Sequence, residues 1–183
     1  MKKQIRQEIA AIEPLDVLEH KTIVGVLAWI DSGAELCRLQ KPATPPVHLV
    51  AYFPVVDGEY VLLVDHINAQ KWLPTGGHVE PGEHPRTTAR REAQEELGIT
   101  AEFITEQPVL LTQTETVGLT AGHTDVSIWY ALKGDRSLAL RLDHSEFLGY
   151  QWFHHSALPD DTDPHLARFM QKLVKLKTGQ SVI

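Results

Sequence analysis

The amino-terminal part of the chain has the apolar spacing of amphipathic helices. Isoleucines recur at steps of four and three residues, at Ile5, Ile9 and Ile12. This spacing predicts a helix that Pro14 ends, and a second apolar-periodic stretch follows over residues 17 to about 39. Three prolines within residues 41–46 predict a linker. We therefore divide the chain into a helical extension with a Pro-rich linker, residues 1–46, and a domain, residues 47–183.

From residue 47 onward the pattern changes to the short apolar runs that are typical of strands. Val47–Val56 and Tyr60–Asp65 flank the pair Asp57-Gly58, which predicts a β-hairpin. Further strands are predicted over Thr105–Val117, Asp125–Leu132 and Tyr150–Phe153, with a Gly118/Gly122 turn between the first two.

Two helices are predicted within this strand-rich domain. Residues 85–97 begin with a proline at the first helical position and end before Gly98, which suits a left-handed stop. The last helix has Asp163 as its predicted N-cap, Pro164 in its first turn and Gly179 as its terminator.

Composition restricts the class of protein. The chain has 183 residues, and its 17 Lys or Arg and 24 Asp or Glu give a net charge of −7, which argues against a nucleic-acid polymer as partner. A hydrophobic content of 43% excludes a disordered chain. The single cysteine, Cys37, excludes an internal disulfide and a Cys-based zinc site. With no apolar signal segment and no run long enough for a bilayer, we expect a soluble, cytoplasmic protein without membrane association.

The candidate chemistry lies in residues 77–99. On a helix, three glutamates of this segment fall within about 100° of one another: Glu92, Glu95 and Glu96. An adjoining apolar stripe is suited to packing on a sheet and consists of Ala89, Ala93 and Leu97. A solvated, charged helix is the simpler interpretation of any Glu-rich helix taken alone.

A second interpretation is a site for a hard divalent cation. Neighbouring carboxylates repel one another, and Mg²⁺ relieves this repulsion because it prefers oxygen ligands. Glu83 precedes Arg91 by eight residues, so the two side chains can pair and hold the loop against the helix. Gly76 and Gly77 lack side chains, which allows their backbone to approach a metal or a phosphate closely.

The complete pattern decides between these interpretations. It reads Gly, five residues, Glu, seven residues, Arg-Glu, an apolar residue, any residue, Glu-Glu, any residue, Gly and an apolar residue. This is the signature of the Nudix hydrolases (MutT-like), and the chain resembles that family over roughly residues 47–178. The resemblance implies an α/β fold, namely an α/β/α sandwich around a mixed β-sheet, with the amino-terminal helical extension outside the shared domain.

The resemblance also implies a reaction and a set of roles. The expected reaction is hydrolysis of a diphosphate linkage in a small phosphorylated substrate, a nucleoside diphosphate derivative, with Mg²⁺ or Mn²⁺ and with water attacking phosphorus. The implied metal ligands are the Gly77 carbonyl, Glu92, Glu95, Glu96 and Glu146. Glu83 and Arg91 would be the supporting pair, and Glu92 or Glu146 the general base. Weaker candidates for the role of Glu146 are Asp143 and Glu115.

Several alternatives remain open at this point. Markers of the ADP-ribose, NADH and diadenosine subclasses are not apparent, and Thr114 and Glu115 stand where an ADP-ribose type would have proline. A nucleotide-binding sensor with this fold is the second hypothesis. An isomerase of prenyl diphosphates would use a catalytic cysteine within the domain, whereas Cys37 precedes the domain.

The remaining polar residues carry weaker signals. His123-Thr124-Asp125 is best interpreted as the polar start of a strand, with recognition of a base or sugar as the alternative. The other histidines considered lack a zinc spacing: His144, His154, His155 and His165. We expect the helical extension to pack against the domain, or against a second subunit in a homodimer.

Overall fold

The computed structural model describes residues 1–41, 44–116 and 122–179. The helices are α1 (Lys2–Ala10), α2 (Val17–Asp31), α3 (Pro85–Leu97) and α4 (Leu166–Thr178). The strands are β1 (Val47–Tyr52), β2 (Val55–Asp57), β3 (Tyr60–His66), β4 (Lys71–Leu73), β5 (Gly76–His78), β6 (Leu110–Glu115), β7 (Thr124–Trp129), β8 (Leu132–Lys133) and β9 (Phe147–His154).

The strands form two mixed sheets. One sheet has the order β5-β1-β7-β6, in which β1 and β7 run parallel and the other neighbours antiparallel. The second sheet has the order β4-β3-β2-β8, and β9 pairs with the free side of β3. The predicted α/β class with a mixed sheet is confirmed.

The predicted hairpin is present, but the strand before it is divided. Asp57 pairs with Tyr60 across the turn, as the Asp57-Gly58 signal predicts. The apolar run that was predicted as one strand breaks at Phe53 and Pro54, so that β1 belongs to one sheet and β2 to the other. Proline at this point cannot donate to a ladder, which suits a chain that leaves one sheet for the other.

Helix α3 begins and ends where the sequence predicts. The His84 ring accepts from the Arg86 amide at the amino-terminal end, and Pro85 occupies the first turn. Gly98 has φ of +67° and ends the helix in the left-handed conformation. Helix α4 begins later than predicted, at Leu166, because the Asp163 carboxylate accepts from the His165 amide in a turn ahead of the helix.

The helical extension packs on the rest of the molecule. Its buried residues share one core with residues of the sheets, and they are Ile5, Ile9, Ile12, Ile23, Val26 and Ile30. Glu19 of α2 is fully buried and accepts from Lys172 Nζ of α4 at 2.7 Å and from the Leu111 amide of β6 at 3.2 Å. One buried carboxylate thus connects α2 with the last helix and with a sheet edge. The division at residue 46 stays a prediction.

Two predicted features fall partly outside the described residues. Val117, the last residue of a predicted strand, and Gly118 of the predicted turn lie there, and so does Pro42 of the linker. No helix in the described ranges combines the length and the apolar content needed to cross a lipid bilayer.

Candidate active site

A cleft of about 880 Å³ runs along the edge of the first sheet. Its walls include β5, the charged face of α3, and the segment that leads into β9. Five of the predicted metal ligands line this cleft, namely Gly77, Glu92, Glu95, Glu96 and Glu146. The structure therefore brings together residues that are far apart in the sequence, with Glu146 facing the same space as α3.

The apolar stripe of α3 fixes the position of its glutamates. The three residues of the stripe are fully buried, as expected: Ala89, Ala93 and Leu97. Because Glu96 adjoins this stripe, it is itself only 4% exposed, whereas the Glu95 side chain is 58% exposed. The three glutamates thus form a gradient from the buried face to solvent, with Glu92 between the extremes.

Strand β5 brings its backbone against the Glu92 side chain. Gly77 pairs with Ala51 of the neighbouring strand, which fixes its position. A Cβ atom at Gly77 would overlap the Glu92 carboxylate, so any other residue here would displace the Glu92 side chain. The main chain at Gly77 therefore lies directly beside the Glu92 carboxylate, with no side chain between them.

Arg91 organises the loop before α3. Its Nε and Nη2 donate to the two oxygens of Glu83 at 3.2 and 3.1 Å, and Thr88 Oγ1 donates to the same carboxylate at 2.8 Å. Arg91 Nη1 also donates to Glu92 at 2.8 Å and to Glu95 at 3.2 Å. The predicted Glu83–Arg91 pair is present, and Arg91 additionally orients two of the helix glutamates.

The pKa values of two carboxyl groups on α3 are raised, as is expected where buried carboxylates lack a neighbouring cation. Burial raises the pKa of Glu96 well above its ordinary value, and the charges of Glu92 and Glu146 raise it further. Burial likewise raises the pKa of Glu92, although Arg91 lowers it in part. Glu96 Oε2 is buried and has no hydrogen-bond partner among the described residues. An oxygen of this kind is suited to bind a cation.

The weaker candidates lie at the margins of this cluster. Asp143 contributes to the raised pKa of Glu96, but its own carboxylate accepts from the Ser145 amide and hydroxyl. Glu115 lines the cleft on β6. Cys37 is buried, its thiol donates to the Glu80 carbonyl, and burial raises its pKa, all of which suits a structural residue.

A second polar cluster lies in the same cleft, and the sequence did not predict it. It comprises His48, His78, His123 and Asp125, and hereafter is called the histidine cluster. His78, His123 and Asp125 line the cleft, and His48 is buried behind them. The strand registers explain how it forms: His48 lies opposite Asp125 on the parallel pair β1/β7, and His78 lies opposite Val50. Because alternate residues of a strand share a face, the four side chains project to the same side of the sheet.

Burial dominates the electrostatics of the histidine cluster. It raises the pKa of Asp125 to about 7, although Arg38 opposes this effect. Burial also lowers the pKa of His78 to about 3, with Arg38 and the neighbouring histidines adding to the shift. The pKa values of His48 and His123 are lowered for the same first reason. The predicted polar start of a strand is confirmed, since β7 begins at Thr124, and the structure in addition makes His123 and Asp125 part of the histidine cluster.

Comparison with known proteins identifies the family to which the chain is related. The family model described as NUDIX domain matches residues 46–173. A rat protein named bis(5'-nucleosyl)-tetraphosphatase (asymmetrical) is 32% identical over 139 residues, which cover 74% of this chain and 88% of the rat protein.

Solved structures agree on the fold. The structure of a C. elegans Ap4A hydrolase in a binary complex has a TM-score of 0.57 at 22% identity. The match covers 73% of this chain and 96% of the C. elegans chain. A UDP-X diphosphatase has a TM-score of 0.55 at 17% identity and covers 97% of this chain and 93% of its own. Together with the glutamate-lined cleft, the family match shows that the chain belongs to the Nudix family of pyrophosphohydrolases.

Proposed function

We propose that this protein hydrolyses a phosphoanhydride bond of a nucleoside diphosphate derivative, with Mg²⁺ or Mn²⁺ as cofactor and water as the nucleophile. The observation that carries the proposal is the group of carboxylates on α3, of which Glu96 is buried without a hydrogen-bond donor beside it among the described residues. A buried carboxylate that lacks a donor is costly unless a cation compensates for it.

The residues present fit a hard divalent cation. Glu92, Glu95 and Glu96 offer oxygen ligands on one edge of a helix, and the backbone at Gly77 can approach the same place. Glu146 faces these groups from the segment before β9, and its charge acts on both Glu92 and Glu96. When bound, the metal neutralises charge on the phosphate oxygens and lowers the pKa of a water molecule.

The chain's own residues would then hold the loop before α3 in place and accept a proton. Arg91 holds Glu83 through two hydrogen bonds, so that the loop before α3 keeps its place beside the helix. Glu92 is half-buried, and burial raises its pKa, which makes it a better base than an exposed glutamate. We propose Glu92 as the general base, with Glu146 as the alternative. Attack by water would break the bond between phosphorus and the bridging oxygen, and this oxygen would leave with the second phosphorylated fragment.

The substrate class follows from the relatives rather than from the geometry. The rat relative is named for a bis(5'-nucleosyl) tetraphosphate, and the C. elegans structure for Ap4A. We therefore propose dinucleoside polyphosphates as the first substrates to test, followed by nucleoside triphosphates, nucleotide sugars and ADP-ribose. A cleft of about 880 Å³ is within the usual range for small-molecule sites.

The experiment is a substrate panel with product identification. The full chain is incubated with each compound in the presence of Mg²⁺, Mn²⁺ or EDTA, and both products are identified by mass spectrometry in ¹⁸O-labelled water. We expect turnover that requires the metal and one ¹⁸O atom in a phosphate product. Binding of nucleotides without turnover of any compound would overturn the proposal in favour of a nucleotide sensor.

A further inference from the structure

We propose that the histidine cluster is a second metal site, separate from the carboxylate site on α3, and that it binds a zinc ion. The proposed ligands are one nitrogen from each of three histidines and one carboxylate oxygen, namely His48, His78 and His123 with Asp125. The proposal depends on geometry and burial within the cluster, and it does not require the proposed hydrolysis.

The four side chains converge on one point. Nε2 of His123, His48 and His78 lies 3.2, 3.5 and 4.0 Å, respectively, from Asp125 Oδ1. All four candidate ligand atoms lie within 4.8 Å of one another. A tetrahedral zinc site with bonds of roughly 2.0–2.2 Å has ligand atoms separated by about 3.3–3.6 Å. The distances from Asp125 Oδ1 to His123 Nε2 and His48 Nε2 are therefore already near this spacing, and the distance to His78 Nε2 is the longest of the three.

A hydrogen bond on the far side of the ring fixes the tautomer of His48, and the contacts of His123 are compatible with the same tautomer. His48 Nδ1 lies 2.8 Å from the Pro45 carbonyl oxygen, which only accepts, so this nitrogen carries the proton. The Thr116 hydroxyl donates to the His123 carbonyl, and its oxygen lies 3.2 Å from His123 Nδ1. In neutral His48, Nε2 then carries a lone pair, and it lies 3.5 Å from Asp125 Oδ1. Metal-binding histidines are typically oriented in this way by a carbonyl or hydroxyl behind the ring.

Several hydrogen-bond acceptors of the histidine cluster lie close together without a donor between them in the part of the chain that the structure describes. His48 Nε2, His123 Nε2 and Asp125 Oδ1 are all buried, and none has a hydrogen-bond partner among the described residues. The side chains of His48 and His123 are 0% and 4% exposed, so water cannot readily solvate them. Lone pairs that meet in a buried space repel one another unless a cation lies between them. The geometry therefore calls for a positive charge at the centre of the cluster.

The ligand types favour zinc over magnesium. Imidazole nitrogen is a preferred ligand of Zn²⁺, whereas Mg²⁺ takes carboxylate, phosphate and water oxygens. Arg38 Nη1 lies 3.1 Å from His78 Nε2 and donates to it. Zinc binding requires this hydrogen bond to break, which would free the Arg38 guanidinium, itself a residue of the cleft wall, for a phosphate group.

The experiment measures metal binding directly rather than turnover. The purified full chain is stripped of metal with a chelator and titrated with Zn²⁺ by calorimetry and with Co²⁺ by visible absorption. Elemental analysis of protein that has been equilibrated with zinc and desalted gives the stoichiometry. Four variants are compared: H48Q and D125N in the histidine cluster, H20Q as an exposed histidine control, and E95Q/E96Q as the carboxylate-site control.

We expect one tightly held zinc ion and the intense absorption of tetrahedral Co²⁺ in the unmodified chain. H48Q and D125N should each weaken zinc binding by about 100-fold or more, because removing even an outer-shell partner costs roughly 10- to 100-fold. H20Q and E95Q/E96Q should retain both the ion and the absorption. Since D125N preserves side-chain size, it decides the matter if H48Q does not fold.

Three results would overturn the proposal. The first is the absence of a tightly held zinc ion in the unmodified chain. The second is unchanged zinc binding by D125N, and the third is loss of the ion in E95Q/E96Q, which would place it at the carboxylate site. Because none of these readouts involves substrate, a failure here leaves the proposed hydrolysis standing, and an inactive enzyme leaves the zinc site standing.

Discussion

At one end of the cleft, a single helix presents carboxylates to a glycine backbone, and at the other end three strands surround one carboxylate with imidazole rings. Each end contains a buried oxygen without a donor among the described residues, Glu96 Oε2 and Asp125 Oδ1. The chemistry around these two oxygens differs. Oxygen ligands alone suit Mg²⁺ or Mn²⁺, whereas three nitrogens and one oxygen suit Zn²⁺. The two proposed sites are therefore expected to differ in the metal that they prefer.

Strand β5 connects the two ends. Gly77 faces the Glu92 carboxylate, and the next residue, His78, enters the histidine cluster. Successive residues of a strand point to opposite faces, so adjacent positions serve different sites. Changes at each end therefore test whether the two sites are independent.

The largest expected effect is at the carboxylate end. E96Q removes a negative charge from the cluster and should lower kcat by about 100-fold or more at saturating Mg²⁺, since a lost ligand costs at least as much as a lost outer-shell partner. In the absence of metal, the same variant should be at least as stable to unfolding as the unmodified chain, because repulsion with Glu92 and Glu146 is relieved. Steady-state kinetics and thermal unfolding in EDTA measure the two effects.

E102Q is the matched control, because Glu102 is an exposed partner of Lys133 away from the cleft. It should leave turnover unchanged. Near-normal turnover by E96Q would contradict the role of Glu96 in binding metal, and a large fall in stability would indicate that the residue is structural.

A substitution at Gly77, on the strand that connects the two ends, should have the next largest effect on turnover. Gly77→Ala introduces a Cβ that overlaps the Glu92 side chain, which must then move. A displacement of about 1 Å at a catalytic group can cost roughly 100-fold, so we expect kcat to fall by about 10- to 100-fold. The half-saturating Mg²⁺ concentration should rise as well. Gly149→Ala, which meets no atom within 4 Å, should have no effect on either quantity.

A change at Arg91, which clamps the loop before α3 through Glu83, should have a smaller effect. R91K keeps the charge but loses the paired donors that hold Glu83 and the donors to Glu92 and Glu95. We expect kcat to fall by about 10-fold, with a higher requirement for Mg²⁺. R90K changes an exposed arginine whose guanidinium lies 4.9 Å from the centroid of the Phe103 ring, away from the glutamates, and it should leave kcat and the Mg²⁺ requirement unchanged. Equal behaviour of R91K and R90K would show that the clamp does not position the glutamates.

The two ends also differ in how far the sequence predicts them. The loop and helix around α3 have local signals, since Pro85 and Gly98 fix the ends of the helix and the alanine stripe fixes its buried face. The Glu83–Arg91 pair follows from the same short segment. For these residues, spacing along the chain determines distance in space.

The histidine cluster has no such local signal. Its formation depends on the pairing of β1 with β7, which places His48 opposite Asp125, and this register is set by long-range contacts. The sequence shows only alternating polar positions at the two strand starts. In the same way, the apolar pattern of α2 predicted a helix, but nothing near Glu19 indicated that Lys172 of the last helix would be its buried partner.

The smallest expected effect tests the histidine end without any metal. In chelated protein, D125N replaces a buried acceptor by an amide that can donate to His48 or His123 Nε2, which now lack donors among the described residues. One added hydrogen bond is worth about 1 kcal/mol, so the free energy of unfolding in EDTA should rise by about that amount. Urea unfolding of D125N and the unmodified chain, each with EDTA and with Zn²⁺, measures this. Zinc should stabilise only the unmodified chain, and the order of stability should therefore reverse on adding it. A D125N protein that is less stable in EDTA would mean that the carboxylate already has a partner, and that the cluster is a closed hydrogen-bond network rather than a cation site.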